Sequence, residues 1–142
     1  MNVKIKKLNE NAVIPKYQTE GAAGFDLHAT ETKLIMPGET QLIGTGLSVE
    51  LPLLTELQIR PRSGLSLKTK LRISNSPGTI DEDFRGEIKI IVDNIGHSPY
   101  TVTVGDRIAQ GVISPVRQAI FEEVEELSDT TRGQSGFGSS GK

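Results

Sequence analysis

The sequence predicts an all-β domain built as a sandwich, a barrel or a jelly roll. Apolar and polar residues alternate strictly in several short runs, and a period of two is typical of half-buried strands. Turn signals rich in Gly and Pro separate the runs at intervals that suit short antiparallel strands. A βαβ protein would show helical periodicity between its strands, so we exclude that class.

The alternating runs predict strands, in chain order, at 3–6, 56–60, 88–92 and 100–104. Turn signals lie at 36–39, 45–48, 76–78, 94–99 and 104–106. Gly, Pro and Asn recur in these signals because they supply the backbone conformations that tight turns require.

Two segments have patterns that permit helices. SGLSLKTK at 63–70 opens with Ser63 as a helix N-cap, and its length predicts about one or two turns. IFEEVEELSD at 120–129 has apolar residues at helical spacing, but strict alternation fits it almost as well. The sequence therefore leaves helix and strand open for this second segment.

The chain has 142 residues and a formal net charge of -2 at pH 7. This size predicts one domain, 1–127, followed by a Gly/Ser-rich arm at 128–142 that composition alone assigns to a flexible tail. Without a basic surface, neither nucleic acid nor a membrane is an expected partner. Cysteine is absent, which excludes thiol catalysis, and the first residues contain no apolar run long enough for a signal peptide, so we expect a cytoplasmic protein.

PRSGLS at 61–66 contains the parts of a phosphate cradle. Arg62 supplies a forked cation, Ser63 a hydroxyl group and Gly64 an unhindered backbone N–H at the start of a short helix. Helix-start N–H groups attract anions, and Arg can bind a phosphate through two hydrogen bonds. An ordinary helix start with a solvated Arg62 explains the block equally well.

NSPGTIDEDFRG at 75–86 carries more charge than a turn needs. We expect a hairpin here, with the amide of Asn75 at its mouth and Asp81 at the end of a strand. A rigid carboxylate in that position can act as general base for a water molecule in phosphoryl transfer. The alternative is a merely structural hairpin in which Asp83 and Arg85 form an ion pair.

Two further blocks have plain structural interpretations when taken alone. AAGFDLHA at 22–29 predicts a strand on which Asp26 is an exposed acid. GDRIAQ at 105–110 predicts a turn that leads into a buried strand, with Asp106 and Arg107 paired locally. Neither block indicates a function by itself.

Taken together, five blocks resemble the five motifs of the homotrimeric dUTPase family: AAGFDLHA, PRSGLS, NSPGTIDEDFRGEI, GDRIAQ and RGQSGFGSSG. Each block is weak alone, but their order and spacing extend over almost the whole chain. The resemblance implies a jelly-roll or distorted-barrel subunit with one short helix, in a homotrimer whose active sites are shared between subunits. It also implies hydrolysis of dUTP to dUMP and pyrophosphate with Mg²⁺, which supplies dUMP for dTMP synthesis and limits uracil in DNA.

The resemblance also assigns roles to residues around the phosphates. Asp81 becomes the general base that deprotonates the water attacking the α-phosphorus. The phosphates are bound by Arg62, Ser63, Gly64 and Gln110. Asp26 acts on Mg²⁺ only through bound water, because the family holds the ion mainly with triphosphate oxygens.

The nucleoside is recognised, by the same resemblance, through a second group of residues. The uracil edge is bound by Asn75, Gly78, Thr79, Ile80 and Asp81. Phe84 takes the place of the family's usual Tyr under the deoxyribose. The face of the ring is preserved, so we expect selectivity for the deoxy sugar to survive and Phe84→Tyr to alter activity only modestly. Lys89 lines the nucleotide pocket.

The C-terminal arm at 128–142 becomes a lid under this interpretation. Arg132 reaches the γ-phosphate, and Phe137 lies over the uracil. Gly138 and Ser139 add further phosphate contacts. The Gly/Ser-rich composition then provides the mobility that a closing segment needs.

Three rival interpretations are weaker. A dCTP deaminase-like enzyme has a similar fold, but PRSGLS lacks the serine pair of the deaminases and the RGQSGFGSSG lid is a dUTPase feature. A non-catalytic trimer that binds nucleotide and regulates a partner is disfavoured because every catalytic position is filled. An oligonucleotide-binding barrel would need a basic groove with stacked aromatic residues, and the chain has few aromatic residues and a net negative charge.

Overall fold

The computed structural model describes residues 1–136, which form eleven strands and one short helix. In chain order they are β1 (Lys4–Lys7), β2 (Phe25–His28), β3 (Lys33–Ile35), β4 (Thr40–Gly44), β5 (Leu47–Glu50), β6 (Thr55–Arg60), α1 (Ser63–Lys68), β7 (Leu71–Ile73), β8 (Gly78–Ile80), β9 (Lys89–Asn94), β10 (Tyr100–Val102) and β11 (Arg107–Pro115). The prediction of an all-β domain with one short helix is confirmed. Within residues 1–136, no helix is long and apolar enough to cross a membrane.

The strands pair only in antiparallel fashion within the described range. One sheet has the order β2-β11-β6-β8 and another has the order β4-β9-β7, while β1 pairs with β5 and β10 with β3. A single cluster of buried apolar side chains joins the sheets, and most of its members are Ile, Leu and Val. The chain therefore builds its core from aliphatic residues, as its low aromatic content requires.

Alternation along the central strands explains why they form. In β6 the buried positions are Thr55, Leu57 and Ile59, and the residues between them are partly exposed. In β9 the buried positions are Ile90, Val92 and Asn94. Successive side chains on a strand point to opposite faces, so each strand places one apolar face against the core.

The predicted strand at 100–104 is shorter in the structure, because a turn ends it at Val102. The carboxylate of Asp106 accepts hydrogen bonds from the backbone N–H of Thr103 at 2.8 Å and from its hydroxyl group at 3.0 Å. Gly105 adopts a φ of 89°, a conformation that glycine reaches without steric cost. These bonds fix the turn that leads into β11.

The helix α1 forms where the sequence predicts it but begins differently. Ser63 is its first helical residue, and Arg62 occupies the N-cap position without a side-chain cap bond. The prediction of Ser63 as N-cap was wrong by one residue. At the other end, Thr69 donates its hydroxyl hydrogen bond to the carbonyl of Leu65 at 2.7 Å, which closes the helix after less than two turns.

The segment 116–136 forms neither helix nor strand. The sequence leaves helix and strand open for 120–129, and the single chain forms neither there. Ile120 and Phe121 are 100% and 95% exposed. Helices and strands in proteins are stabilised mainly by burying an apolar face, and the apolar side chains of this segment are exposed in the single chain. The proposed boundary at residue 127 stays a prediction.

Candidate active site

Asp26 lies at the centre of a charged cluster that joins three of the sequence blocks. One carboxylate oxygen, Oδ1, is 2.7 Å from Nε of Arg62, and the other, Oδ2, is 3.3 Å from Nη1 of Arg107. Nε2 of Gln18 donates a further hydrogen bond to Oδ2 at 3.4 Å. Asp26 is only 9% exposed. The expectation of an exposed acid was therefore wrong, because two cations and an amide accompany its burial.

The expected pair of Asp106 with Arg107 was also wrong. The Asp106 carboxylate bonds the preceding turn instead, and the guanidinium of Arg107 reaches Asp26 on the neighbouring strand β2. A register shift in the pairing of β11 with β2 lies between Arg107 and Ala109. Such irregularities redirect side chains at strand ends.

His28 lies on the same strand as Asp26, and its Nδ1 atom is buried without a hydrogen-bond partner among the described residues. Burial lowers the pKa of His28, the Asp26 carboxylate opposes this effect, and Arg107 and Arg62 lower the pKa further. A neutral imidazole adds no third positive charge to the cluster.

Gln110 lies beside this cluster on β11. Its Nε2 donates a hydrogen bond to the carbonyl of Pro61 at 2.8 Å. A Cβ atom on Gly24 would stand only 2.5 Å from Oε1 of Gln110, so a larger residue at this position would displace the end of this side chain. The sequence carries no clear signal of this contact, because a glycine before a strand has ordinary explanations.

Ser63 and Gly64 form the first turn of α1, directly after Arg62. The first N–H groups of a helix have no partner within the helix, so they are free to bind an anion. A Cβ on Gly64 would meet no atom within 4 Å, which shows that this backbone is open to approach. The structure thus brings Arg62, Ser63, Gly64 and Gln110 into one region, together with Asp26.

Asp81 is the first residue after β8, as predicted, but the expected hairpin does not form. β8 pairs with β6, whereas β9 pairs with β4 and β7, so the chain crosses between two sheets after Asp81. The N–H of Phe84 donates to the carbonyl of Asp81 at 3.1 Å and closes a turn there. Nη1 of Arg85 bonds the carbonyls of Glu82 and Phe84, not the carboxylate of Asp83.

Phe84 projects from this turn with 42% of its surface exposed. Its ring lies against Gly86, where a Cβ atom would stand 2.5 Å from the ring carbon Cζ. The absence of a side chain at Gly86 therefore leaves the space that the Phe84 ring occupies. The sequence carries no signal of this contact at Gly86, because a glycine in a charged turn has an ordinary explanation.

The residues expected to read the base lie on β8 and the turn before it. Nδ2 of Asn75 stands 3.2 Å from the position that a Cβ on Gly78 would take, so the amide lies over the strand. Thr79 is exposed opposite Gln58, and Ile80 is half-buried opposite Leu57.

The Asp81 turn and the Asp26 cluster lie at opposite ends of β6. Ile80 pairs with Leu57, so Asp81 lies near the start of β6, whereas Arg62 follows its end. Five residues along a strand span about 16 Å. One copy of the chain therefore does not bring these two groups of candidate residues together.

A groove of about 590 Å³ adjoins Asp81. Its lining includes four carboxylates, from Glu56, Asp81, Glu82 and Asp83, and one cation, from Arg117. This negative surface would repel a triphosphate. Two cations, Arg62 and Arg107, lie in the Asp26 cluster at the other end of β6.

The sequence matches the family model described as dUTPase over residues 10–141. The chain belongs to the dUTPase family. Two relatives named deoxyuridine 5'-triphosphate nucleotidohydrolase illustrate the similarity. That of Nautilia profundicola is 57% identical over 142 residues and covers 100% of both chains. That of Helicobacter hepaticus is 55% identical over 141 residues, which is 99% of this chain and 89% of the relative.

Solved dUTPase structures share the fold. The Staphylococcus bacteriophage 80alpha dUTPase with dUPNHPP has a TM-score of 0.93 at 30% identity and covers 99% of each chain. A mutant dUTPase from phage phi11 of S. aureus, described with a structural Mg(II) ion, has a TM-score of 0.85 at 26% identity, over 91% of this chain and 100% of that one. The predicted family, its enzyme class and its jelly-roll subunit are confirmed.

Two further candidate residues, Lys89 and Arg132, make their contacts outside both groups of residues. Lys89 is on β9 opposite Gly44, in the other sheet, and its Nζ is 3.5 Å from Oε2 of Glu87. In the arm, Nε of Arg132 donates to the carbonyl of Ser135 at 2.9 Å, in a local turn. Phe137, Gly138 and Ser139 lie outside the described residues.

Proposed function

We propose that the protein hydrolyses dUTP to dUMP and pyrophosphate in the cytoplasm, as a homotrimer in which each active site takes residues from more than one copy. The whole-chain identity of 57% to a deoxyuridine 5'-triphosphate nucleotidohydrolase carries the proposal. The five sequence blocks supply every residue type that the reaction needs. The product dUMP would serve dTMP synthesis, and removal of dUTP would limit uracil in DNA.

The shared site is supported by the separation of the candidate residues. Asp81 and Arg62 lie at opposite ends of β6, so a second copy must supply one of them to a common site. Exposed apolar side chains on the segment after β11 also favour assembly, since Ile120, Phe121 and Leu127 are 100%, 95% and 87% exposed. Burying such side chains between copies is favourable.

Asp81 acts as the general base in this proposal. Its carboxylate takes a proton from a water molecule while the water oxygen attacks the α-phosphorus. The bond between the α-phosphorus and the bridging oxygen breaks, and pyrophosphate leaves with those electrons. The hydrogen bond from the N–H of Phe84 to the Asp81 carbonyl supports the role because it makes the turn rigid.

In this proposal the phosphates are bound by the Asp26 cluster and its neighbours at the other end of β6. Arg62, the first N–H groups of α1 and Nε2 of Gln110 lie within one region, and all can donate hydrogen bonds to an anion once Gln110 releases the carbonyl of Pro61. Arg132 from the arm would add a second cation at the γ-phosphate. These groups orient the triphosphate and stabilise charge on the leaving pyrophosphate.

Mg²⁺ fits this site as an ion that arrives with the triphosphate. Within residues 1–136, no group of three or more His, Asp or Glu side chains could hold an ion by itself. Asp26 is the nearest carboxylate to the phosphate-binding residues, and both of its oxygens already accept hydrogen bonds or ion pairs, so contact through water suits it. Bound Mg²⁺ would supply charge neutralisation on the phosphate oxygens.

Base and sugar selection would come from the segment around β8. The amide of Asn75 and the backbone of Gly78, Thr79 and Ile80 would hydrogen-bond the uracil edge, which disfavours bases that leave these groups unpaired. The Phe84 ring would pack under the deoxyribose and exclude a 2′-hydroxyl group. Phe137, Gly138, Ser139 and Lys89 complete the nucleotide pocket in this proposal.

The test is pyrophosphate release from dUTP with Mg²⁺, compared with dTTP, dCTP and UTP. We expect turnover of dUTP alone, and a loss of at least about a thousandfold in Asp81→Asn, which keeps the shape of the base but not its charge. Asp83→Asn is the matched control, because it removes the same charge from the same turn. Binding of dUTP without turnover in the native chain would refute the catalytic proposal, and ammonia release from dCTP would favour a deaminase.

A further inference from the structure

Arg107 has no role in the site described so far, yet it touches the charged centre of that site. Its Nη1 is 3.3 Å from Oδ2 of Asp26, while Nε of Arg62 is 2.7 Å from Oδ1. Each arginine thus holds a different oxygen of one buried carboxylate. Two positive charges share a single negative charge, so the cluster keeps one unmatched positive charge.

Arg62 is held in the free chain by more than this ion pair. Its Nη1 also donates a hydrogen bond to the backbone carbonyl of Arg107 at 3.0 Å. A guanidinium binds a phosphate with two parallel hydrogen bonds through Nε and Nη2 or through Nη1 and Nη2. Arg62 must therefore leave Asp26 before its Nε edge can bind a phosphate in this way, because Nε already contacts that carboxylate.

If Arg62 left, the Asp26 carboxylate would be destabilised unless another cation remained beside it. Asp26 is only 9% exposed, and a buried carboxylate without a cation is strongly disfavoured. Gln18 would remain, at 3.4 Å from Oδ2, but an amide carries no charge. Arg107 would also remain, because it pairs with His28 of β2 at the start of β11.

We propose that Arg107 is a positioning residue that keeps Asp26 ionised and in place while Arg62 moves from that carboxylate to the phosphates of the nucleotide. The inference rests on the proposed binding of dUTP. Arg107 acts through Asp26 and lowers the cost of releasing Arg62. Without Arg107, the carboxylate would hold Arg62 more tightly, and the triphosphate would have to compete for it.

A double-mutant cycle with Asp26 tests this coupling. Calorimetry would give the affinity for the analogue dUpNHpp with Mg²⁺ in the native chain, Arg107→Gln, Asp26→Asn and the double variant. We expect Arg107→Gln to weaken binding about tenfold, the size of a lost charged hydrogen bond. In the Asp26→Asn background the same substitution should change affinity by less than about twofold, because no carboxylate then competes for Arg62.

Two more variants test whether the effect comes from the contact of Arg107 with Asp26 or only from a lost charge or a damaged fold. Arg60→Gln removes an equal charge from the adjacent strand, where Arg60 bonds Gln58 at 3.0 Å and does not touch Asp26, and we expect less than about a twofold effect. Arg107→Lys should recover most of the affinity, since a single nitrogen of Arg107 makes the contact. In Arg107→Gln the KM for dUTP should rise more than kcat falls, a split that general damage to the fold would not produce.

Outcomes other than those expected would contradict the inference. An equal loss in the native and Asp26→Asn backgrounds would mean that Arg107 binds phosphate directly. An equal loss in Arg60→Gln would mean that only net charge matters, and failure of Arg107→Lys to recover affinity would contradict a role based on one ionic contact. Failure of the native chain to bind dUpNHpp or release pyrophosphate would refute the proposed function itself, whereas normal native turnover with an unchanged Arg107→Gln would refute only this inference.

Discussion

The contact between the Phe84 ring and Gly86 predicts that a single added methyl group will alter sugar selection. In Gly86→Ala the new Cβ would stand 2.5 Å from ring carbon Cζ and 3.0 Å from Cε2. Carbon atoms in good contact are about 3.5–4.0 Å apart, so the ring must move by about 1 Å. Phe84 is 42% exposed and can move toward solvent. We therefore expect the free energy of unfolding to change by less than about 1 kcal/mol.

The effect on catalysis should be larger than the effect on stability. A displacement of about 1 Å in a residue that positions substrate can lower the rate up to about a hundredfold. We expect kcat/KM for dUTP to fall about 10- to 100-fold and the preference for dUTP over UTP to narrow, because the ring is proposed to exclude the 2′-hydroxyl group. The assay is pyrophosphate release from dUTP and from UTP. Gly21→Ala is the matched control, since its Cβ would meet no atom within 4 Å.

An unchanged ratio of kcat/KM for dUTP over UTP, in a Gly86→Ala protein with a native thermal midpoint, would refute the reasoning. The Phe84→Ala background gives a second check. There the added methyl group has no ring to displace, so Gly86→Ala should have no further effect on the ratio. An equal effect with and without the ring would show that the methyl group acts through the backbone instead.

Three further predictions concern other contacts. Gly24→Ala should displace Gln110, because Oε1 of Gln110 would be 2.5 Å from the new Cβ. We expect the KM for dUTP to rise about three- to tenfold with little change in the thermal midpoint. An unaltered KM would contradict the role of Gln110. Asn94→Ala should lower the free energy of unfolding by about 2–4 kcal/mol, because the buried Asn94 amide bonds three backbone groups. Urea denaturation measures this loss, and a loss below about 1 kcal/mol would contradict the prediction. Hydrogen bonds from Ser74 and Thr40 hold the pKa of Asp93 below its ordinary value of 3.8. The stabilisation by the ionised carboxylate is present above pH 3.8 and is lost as the pH falls through the lowered pKa of Asp93. The difference in denaturation midpoint between the native protein and Asp93→Asn should therefore shrink below pH 3.8. A difference that stays constant with pH would contradict this prediction.

Strands with one buried face were readable from the sequence because their signal is local. β6 and β9 alternate over six residues each, and both lie where alternation predicts them. The turn at Gly105 was equally readable, since its positive φ requires the glycine that the sequence supplies. The order of the five blocks predicted the family for the same reason, as motif order is a property of the sequence alone.

Pairing between distant segments was not readable. The hairpin predicted at 75–86 fails because β8 finds its partner in β6, some twenty residues earlier, and nothing local specifies that choice. The burial of Asp26 was missed because alternation leaves only one face of a strand for the core, whereas both Asp26 and Leu27 are buried. Arg62 and Arg107 supply the charges that make this possible, and Arg107 is 81 residues away in the sequence.

The close contacts around Gly24 and Gly86 were also beyond sequence reasoning. Both glycines lie in blocks that the resemblance had already identified, yet their importance depends on where the side chains of Gln110 and Phe84 come to lie. A glycine in a loop has too many ordinary explanations for its type to reveal such a contact.

The placement of Asp81 and Arg62 at opposite ends of β6 has a consequence for mixtures of defective proteins. In a trimer whose sites each take Asp81 from one copy and Arg62 from another, co-expression of an Asp81→Asn chain with an Arg62→Gln chain would rescue activity, although each is inactive alone. Random assembly of equal amounts would leave both residues intact in about one quarter of the sites. Two damaged alleles could then complement each other within one cell, whereas a site contained in a single copy would allow no rescue.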